Sequence, residues 1–245
     1  MEKHEQITQA AISNYSSSTP WPEHDIWHDF TFKAEKQIVE QWLSHYSSQS
    51  AVVLNAGSGG TEYRTNGKIV HLDIIEKYIQ RFEHYLVGSI EKIDLPDMSV
   101  DGVICVGSVL NYADAQRSIS EFYRILKPDG FLILEFERSD SAEFLWTERH
   151  GKYIFSKEYT YNGQSHLLWM YSEKHIRQLL KHYGFQIKKC KRIHSVSSLL
   201  YRFGVSEKVA AAYSTLDSLF SFLSYPTAHN AMLLCTKQVL SKRNN

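Results

Sequence analysis

The apolar residues 51–54 run directly into the loop Asn55-Ala56-Gly57-Ser58-Gly59-Gly60-Thr61, and few folds use that pairing. A short unbroken apolar run is the mark of a strand buried on both faces, the situation of a parallel sheet covered by helices. Glycines at its end let the backbone turn sharply and lie close against a ligand. The pattern then repeats. Residues 68–72 read as a second strand that ends in Asp73, residues 102–106 as a third, apolar run that stops at Gly107-Ser108, and residues 131–136 as the next strand. Between the last two, Ile119, Phe122, Tyr123 and Leu126 share one helical face, which Lys127-Pro128-Asp129-Gly130 ends. Strands alternating with helices at this pitch predict right-handed crossovers and a doubly wound, Rossmann-like α/β sheet.

The flanks read differently. Ile38, Val39, Trp42, Leu43 and Tyr46 predict a helix over 31–46 that leads into the first strand. Residues 153–161 and 164–171 flank Asn162-Gly163, a hairpin signal because both central residues of a type I′ turn need positive φ. Ser172 can cap a helix carrying Ile176, Leu179, Leu180 and Tyr183, with Gly184 just past its end. Residues 185–193 and 231–237 read as the final strands, and the mostly helical stretch 195–225 between them is too long for a hairpin loop. One domain is expected for the 245 residues: an N-terminal lid and helix (1–48), a ligand-binding core (49–138), a hairpin insertion (139–172), and the rest of the sheet (173–240) with the helical insertion 195–225.

Composition removes several classes of function. Lys plus Arg equals Asp plus Glu at 27 each, so no global charge draws the chain to nucleic acid. Cys105, Cys190 and Cys235 form no CxxC pair, which argues against a disulfide framework or a zinc knuckle. The polar N-terminus lacks a signal layout and no apolar run reaches the ~18 residues of a membrane span, so a cytoplasmic protein is expected. The basic run 188–192 reads as a solvated face, and the apolar stretch 209–223 as a cover for the core in preference to a homodimer or membrane surface.

Asp73 follows Asn55 by 18 residues, the placement of an acid that accepts hydrogen bonds from a ribose diol. Glu62, however, stands where a dinucleotide fingerprint has its third glycine, and a carboxylate there would oppose a pyrophosphate. A nucleoside without phosphates suits these residues better. In the pieces 52–60, 71–73, 88–104 and 122–135 the chain resembles the class I S-adenosylmethionine-dependent methyltransferases, over most of residues 50–137.

That resemblance implies a seven-stranded sheet with an antiparallel last strand, S-adenosylmethionine as cofactor and S-adenosylhomocysteine as product. By position, Ala56, Gly57, Ser58 and Gly59 would lie against the methionine part and the sugar, Asp73 and Ile74 at the ribose, Ser89 and Ile90 at the adenine, and Gly107 and Ser108 beside the methionine. Tyr15 would reach the cofactor carboxylate if the N-terminus closes as a lid. Two departures stand out: Asn55 replaces the usual acid of the first loop, removing a charge near the cofactor's ammonium, and Ser89 replaces a common Asp. His71 reads as a structural or cofactor-side residue.

Methyl transfer is an in-line displacement in which positioning supplies much of the rate, so a base is optional. Candidate bases are His24 and His28, although lid surface beside Trp21 and Trp27 is the first reading of that pair, together with Tyr112 past the third run and His166 on the hairpin. No metal is expected, because Val106-Gly107-Ser108-Val109-Leu110 offers no acids. The aromatic residues Trp21, Trp27, Tyr153, Phe155, Trp169 and Tyr201 point to a small apolar or aromatic acceptor, methylated on oxygen, nitrogen or carbon. The alternatives are a cyclisation or rearrangement that uses the bound donor as a structural or electrostatic group, and a non-catalytic adenosyl-binding partner protein.

Overall fold

The structure, a computed structural model, describes residues 3–17, 25–161, 164–218 and 224–238. Helix α1 (Lys3–Ser17) and helix α2 (Ile26–Tyr46) precede the first strands, β1 (Val52–Ala56) and β2 (Lys68–Asp73). A four-residue helix α3 (Glu76–Ile79), β3 (Tyr85–Val87), β4 (Val100–Cys105), α4 (Ala115–Ile125) and β5 (Leu126–Glu137) complete the first half. The hairpin β6 (Ile154–Tyr161) and β7 (Gln164–Tyr171) is followed by α5 (Glu173–His182), β8 (Phe185–Ile193) and, after the insertion, β9 (Asn230–Lys237). Seven strands form one sheet in the order β3-β2-β1-β4-β5-β9-β8, while β6 and β7 form a separate pair. The first five strands are mutually parallel where they pair, and β9 runs antiparallel to β5 and β8.

Strand alternation divides the core. Leu54, Val103, Leu132 and Leu134 face Ile119 and Phe122 of α4 and Ile176 and Leu180 of α5. Their neighbours Val53, Ile104 and Ile133 face the other way, onto Val39, Trp42 and Leu43 of α2. At Gly102 a Cβ would stand 2.2 to 2.6 Å from the Phe131 ring. Phe131 is buried between sheet and helix, so Gly102→Ala is expected to destabilise by about 1–3 kcal/mol. A thermal melt unchanged by that substitution would show that the ring can retreat.

Helix α2 starts a turn earlier than the apolar periodicity predicts, because Asp25 caps it: one carboxylate oxygen accepts from the Trp27 and His28 N–H groups at 2.9 and 3.1 Å. That first turn carries Trp27 and Thr31 toward the insertion between β8 and β9, whose described residues form α6 (Ser195–Arg202), α7 (Glu207–Ala212), a 3₁₀ turn Ser214–Ser218 and α8 (Ser224–Thr227). His194 pins the two together. It is fully buried at φ +61°, stacks on Trp27 with centroids 4.0 Å apart, and meets the Thr31 hydroxyl at 2.7 Å and the Ser197 and Ser214 hydroxyls at 2.9 Å. Burial holds this ring well below its usual pKa, so it is a neutral structural histidine. Strand β5 begins earlier than expected, with a register irregularity against β4 between Val100 and Gly102. The short β3, with two of its three residues exposed, has no apolar run to announce it. The Asn162-Gly163 turn lies outside the described residues.

Candidate active site

The carboxyl ends of β1, β2 and β4 open into one cavity of about 550 Å³. At the end of β1 the Gly57 and Ser58 N–H groups both donate to the Leu72 carbonyl of β2, at 2.8 and 2.9 Å, which folds the loop over the sheet edge. Gly57 has φ +71°, and a Cβ there would overlap Val109 at 2.3 Å, so only glycine fits this bend. The loop is held from beneath: the Asn55 amide donates to the Ser58 hydroxyl (3.2 Å) and the Thr61 carbonyl (3.0 Å), and the Ser58 hydroxyl meets His71 Nδ1 at 2.7 Å. His71 stacks on Phe82, and burial pushes its pKa down to about 4. It acts as a neutral prop.

Asp73 sits above this loop with each carboxylate oxygen fixed: one accepts from the Gly59 N–H at 2.7 Å, the other from the Ile75 N–H at 2.8 Å. Burial raises its pKa while those N–H groups oppose the shift. Each oxygen keeps a further lone pair for a ligand. Helix α1 roofs the cavity with Thr8, Ala11, Ile12 and Tyr15, tied down by the Tyr78 hydroxyl, which donates to the Tyr15 carbonyl, and by the Asn14 amide, which donates to the Ser165 carbonyl of β7 at 2.8 Å.

Of the residues singled out in the sequence, Tyr15, Gly57, Ser58, Gly59, Asp73, Ile74, Ser89, Ile90, Gly107 and Ser108 line this one cavity. Asn55 and Ala56 are buried beneath the loop and do not line it. Among the candidate bases, Tyr112 and His28 reach the cavity, while His166 is buried behind Tyr112, with Nδ1 3.3 Å from its hydroxyl. The Tyr112 hydroxyl is also 3.2 Å from that of Tyr15 and 3.4 Å from that of Tyr159. His28 is held by Asp25 at 2.8 Å. His24 and Trp21 lie outside the described residues. Of the aromatic residues expected to wall the acceptor, Trp27 and Tyr201 line the cavity, while Tyr153, Phe155 and Trp169 do not. Ligand atoms of Asp25, His28 and Glu207 come within 4.8 Å of one another, but Asp25 is already engaged by the α2 N-terminus and the His28 ring.

The sequence reading missed a block of charge. His229 lies between Glu137, 3.3 Å from Nε2, and Glu143, 3.5 Å from Nδ1, and Lys157 pairs with Glu143. Burial would raise Glu137, but the His229 hydrogen bond and charge, with Lys157 behind them, hold it down at about 2, and the two carboxylates raise His229 in turn. Beneath them Glu135 accepts from the Ser108 N–H at 2.6 Å and the Asn230 amide at 2.7 Å, and burial still lifts it to about 7. Glu35 of α2 is 2% exposed and also faces the cavity. Its signal was available: with Thr31, Val39 and Trp42 it occupies the buried stripe of an amphipathic helix, where a carboxylate is out of place. The other members come from separate segments and carry no common pattern.

Residues 54–134 match the methyltransferase domain family. That stretch carries a methyltransferase domain. The chain is 32% identical over 115 residues to the malonyl-acyl-carrier-protein O-methyltransferase of Yersinia pestis, an alignment covering 41% of this chain and 43% of that one, so the chain spans less than half of that relative's length. Its fold is similar to that of 1,6-didemethyltoxoflavin-N1-methyltransferase from Burkholderia thailandensis, solved with 1,6-didemethyltoxoflavin and S-adenosylhomocysteine bound, at a TM-score of 0.61 and 17% identity over 98% of this chain and 92% of the other. The 4+2 cyclase SpnF is also similar, at a TM-score of 0.56 and 13% identity over 97% and 93% of the two chains. These likenesses establish the methyltransferase fold, with its antiparallel β9. No helix among the described residues is long and apolar enough to cross a membrane.

Proposed function

We propose that this protein transfers a methyl group from S-adenosylmethionine to an oxygen, nitrogen or carbon of a small organic acceptor. The observation that carries the reading is Asp73: a buried carboxylate whose two oxygens are oriented by the Gly59 and Ile75 N–H groups at the mouth of a glycine bend, inside a methyltransferase domain. That arrangement fits a ribose diol, and the missing Cβ at Gly57 keeps the backbone low enough for a thioether chain to cross it. Ser89 and Ile90 would border the adenine and Gly107 the amino-acid portion.

The bound donor supplies a sulfonium methyl carbon that is electrophilic without further activation. What the chain must add is position, exclusion of water and a destination for any proton the acceptor loses. Helix α1 and, from the insertion, Ser198, Tyr201 and Glu207 border the cavity on two sides. On the acceptor side, Trp27 and Tyr201 offer aromatic surface, while Lys157, Glu143 and His229 form a charged edge. We therefore read the acceptor as a small molecule with an apolar or aromatic body and a polar group that meets this edge.

Calorimetric titration tests the donor half: saturable binding of S-adenosylhomocysteine is expected, with none for NAD or ATP, and the reverse preference overturns the reading. Methyl-labelled donor offered with a panel of phenols, amines and carboxylic acids tests the other half. Label in a product, matched by S-adenosylhomocysteine, is the expected result. Consumption of the true substrate with the donor intact would point to cyclisation or rearrangement instead.

A further inference from the structure

Three buried acids converge on Gly107 and Ser108, where β4 ends, and they are not equivalent. Glu135 has the Ser108 N–H and the Asn230 amide. Glu137 has His229. Glu35 has Oε1 enclosed without a hydrogen-bond partner among the described residues, although its side chain borders the cavity. A carboxylate left so would cost several kcal/mol unless it takes a proton or meets a cation. Burial and the neighbouring charges of Glu135 and Glu137 accordingly push it well above the usual carboxylate range, and only the Gly107 N–H works the other way. The cations nearest these acids, His229 and Lys157, already pair with Glu137 and Glu143.

Where Glu35 stands limits what the missing cation is. Its electrostatic neighbours are Tyr63, on the chain just beyond the β1 loop, and Gly107, at the end of β4, so it spans the gap between the first and fourth strand ends. The amino-acid portion of the donor crosses that gap in the reading given above, on which this inference rests. Asn55, the residue at which an acid was to be expected, is buried under the loop with its amide spent on Ser58 and Thr61.

We propose that Glu35 of α2 binds the donor's α-ammonium, replacing from a different element the charge that Asn55 does not provide. The ammonium brings three N–H donors to a carboxyl with an orphaned oxygen, and its charge offsets the burial that disfavours the carboxylate. The groups that face it, Glu135 and Glu137 from β5 and Tyr63 just beyond the β1 loop, are acids or neutral, so none competes as a cation.

The test is a ligand–variant cycle read by calorimetry. Wild-type protein and Glu35→Gln are titrated with S-adenosylhomocysteine and with its desamino analogue, in which hydrogen replaces the amino group. Wild type is expected to prefer the amino ligand by about 10- to 100-fold, the range of a charge-assisted hydrogen bond, and Glu35→Gln to lose that preference while binding the desamino ligand as before. Equal affinity of the wild type for both ligands overturns the proposal, as does an undiminished preference in the variant or an equal loss for both ligands. If wild type binds neither, the donor reading itself has failed, and this assignment with it. Should Glu35→Gln not fold, Glu35→Asp, whose carboxylate stands one methylene farther from the cavity, is titrated in its place and is expected to lose most of the preference; full retention overturns the assignment.

Discussion

Asp73→Ala is expected to weaken S-adenosylhomocysteine binding about 100-fold, the equivalent of about 3 kcal/mol. The magnitude follows from two ribose hydroxyls donating to a charged acceptor, each such bond being worth about 1.5–3 kcal/mol where it is well formed. It is not reduced to surface strength, because Asp73 is 8% exposed and both its oxygens are already oriented by backbone N–H groups. The substitution also strips the Gly59 and Ile75 N–H groups of their acceptor, so part of the loss comes from a loosened loop. A ribose-specific control separates the two contributions. Wild type should discriminate strongly against the 2′-deoxy and 3′-deoxy forms of the ligand, and Asp73→Ala should not. If the variant binds S-adenosylhomocysteine as wild type does, Asp73 only closes the turn after β2 and the nucleoside lies elsewhere. Asp73→Asn is expected to fall nearly as far, since an amide can accept from one of the two N–H groups but turns its own N–H toward the other.

The sheet was legible in the sequence because parallel strands covered on both faces are mostly apolar, and residues 51–54, 102–106 and 131–136, the last interrupted by Glu135, show that without help from anything distant. The glycine bend was legible for a local reason too: glycines at a strand end mark a sharp turn, and Gly57 takes the positive φ that such a turn uses. What escaped was whatever depends on chain segments meeting. Asn55 illustrates the limit. Its position in the motif marks it as a cofactor contact, yet it pairs in register with His71 on β2, and its amide turns under the loop to Ser58 and Thr61. Sequence position gives the strand end but not the direction of its last side chain. The charged block is harder still. Glu35, Glu137, Glu143, Lys157 and His229 belong to α2, the end of β5, the following 3₁₀ turn, the hairpin and the residue before β9, and only the strand order that places β9 beside β5 puts His229 against Glu137. The cavity wall, expected from composition to be aromatic, has this charged edge because topology assembled it.

Tyr112→Phe is expected to lower kcat about 100-fold or more if the acceptor loses a proton on methylation, with donor affinity unchanged. The Tyr112 hydroxyl borders the cavity within reach of His166 Nδ1 (3.3 Å) and is surrounded by the hydroxyls of Tyr15 and Tyr159. Burial raises Tyr112 far above an ordinary phenol, so it does not wait as a phenolate. It can, however, take the acceptor's proton as it passes its own to His166, ending neutral with the charge on the imidazole. Burial, with the His28 charge behind it, lowers His166 below 6.5, which keeps the ring neutral and receptive at pH 7. A weak base suffices here, because the acceptor proton becomes strongly acidic as the new bond to carbon forms. The competent ring is the neutral one, so kcat should hold around pH 7 and drop at acid pH as His166, its pKa lowered by burial, takes up a proton. His166→Gln should remove that acid limb and lower kcat by a similar factor. If both residues serve one proton path, the double variant should be hardly worse than either single one. Losses that multiply would mean two separate roles, and a Tyr112→Phe enzyme with near wild-type kcat would show that the acceptor gives up its proton elsewhere or carries none to lose.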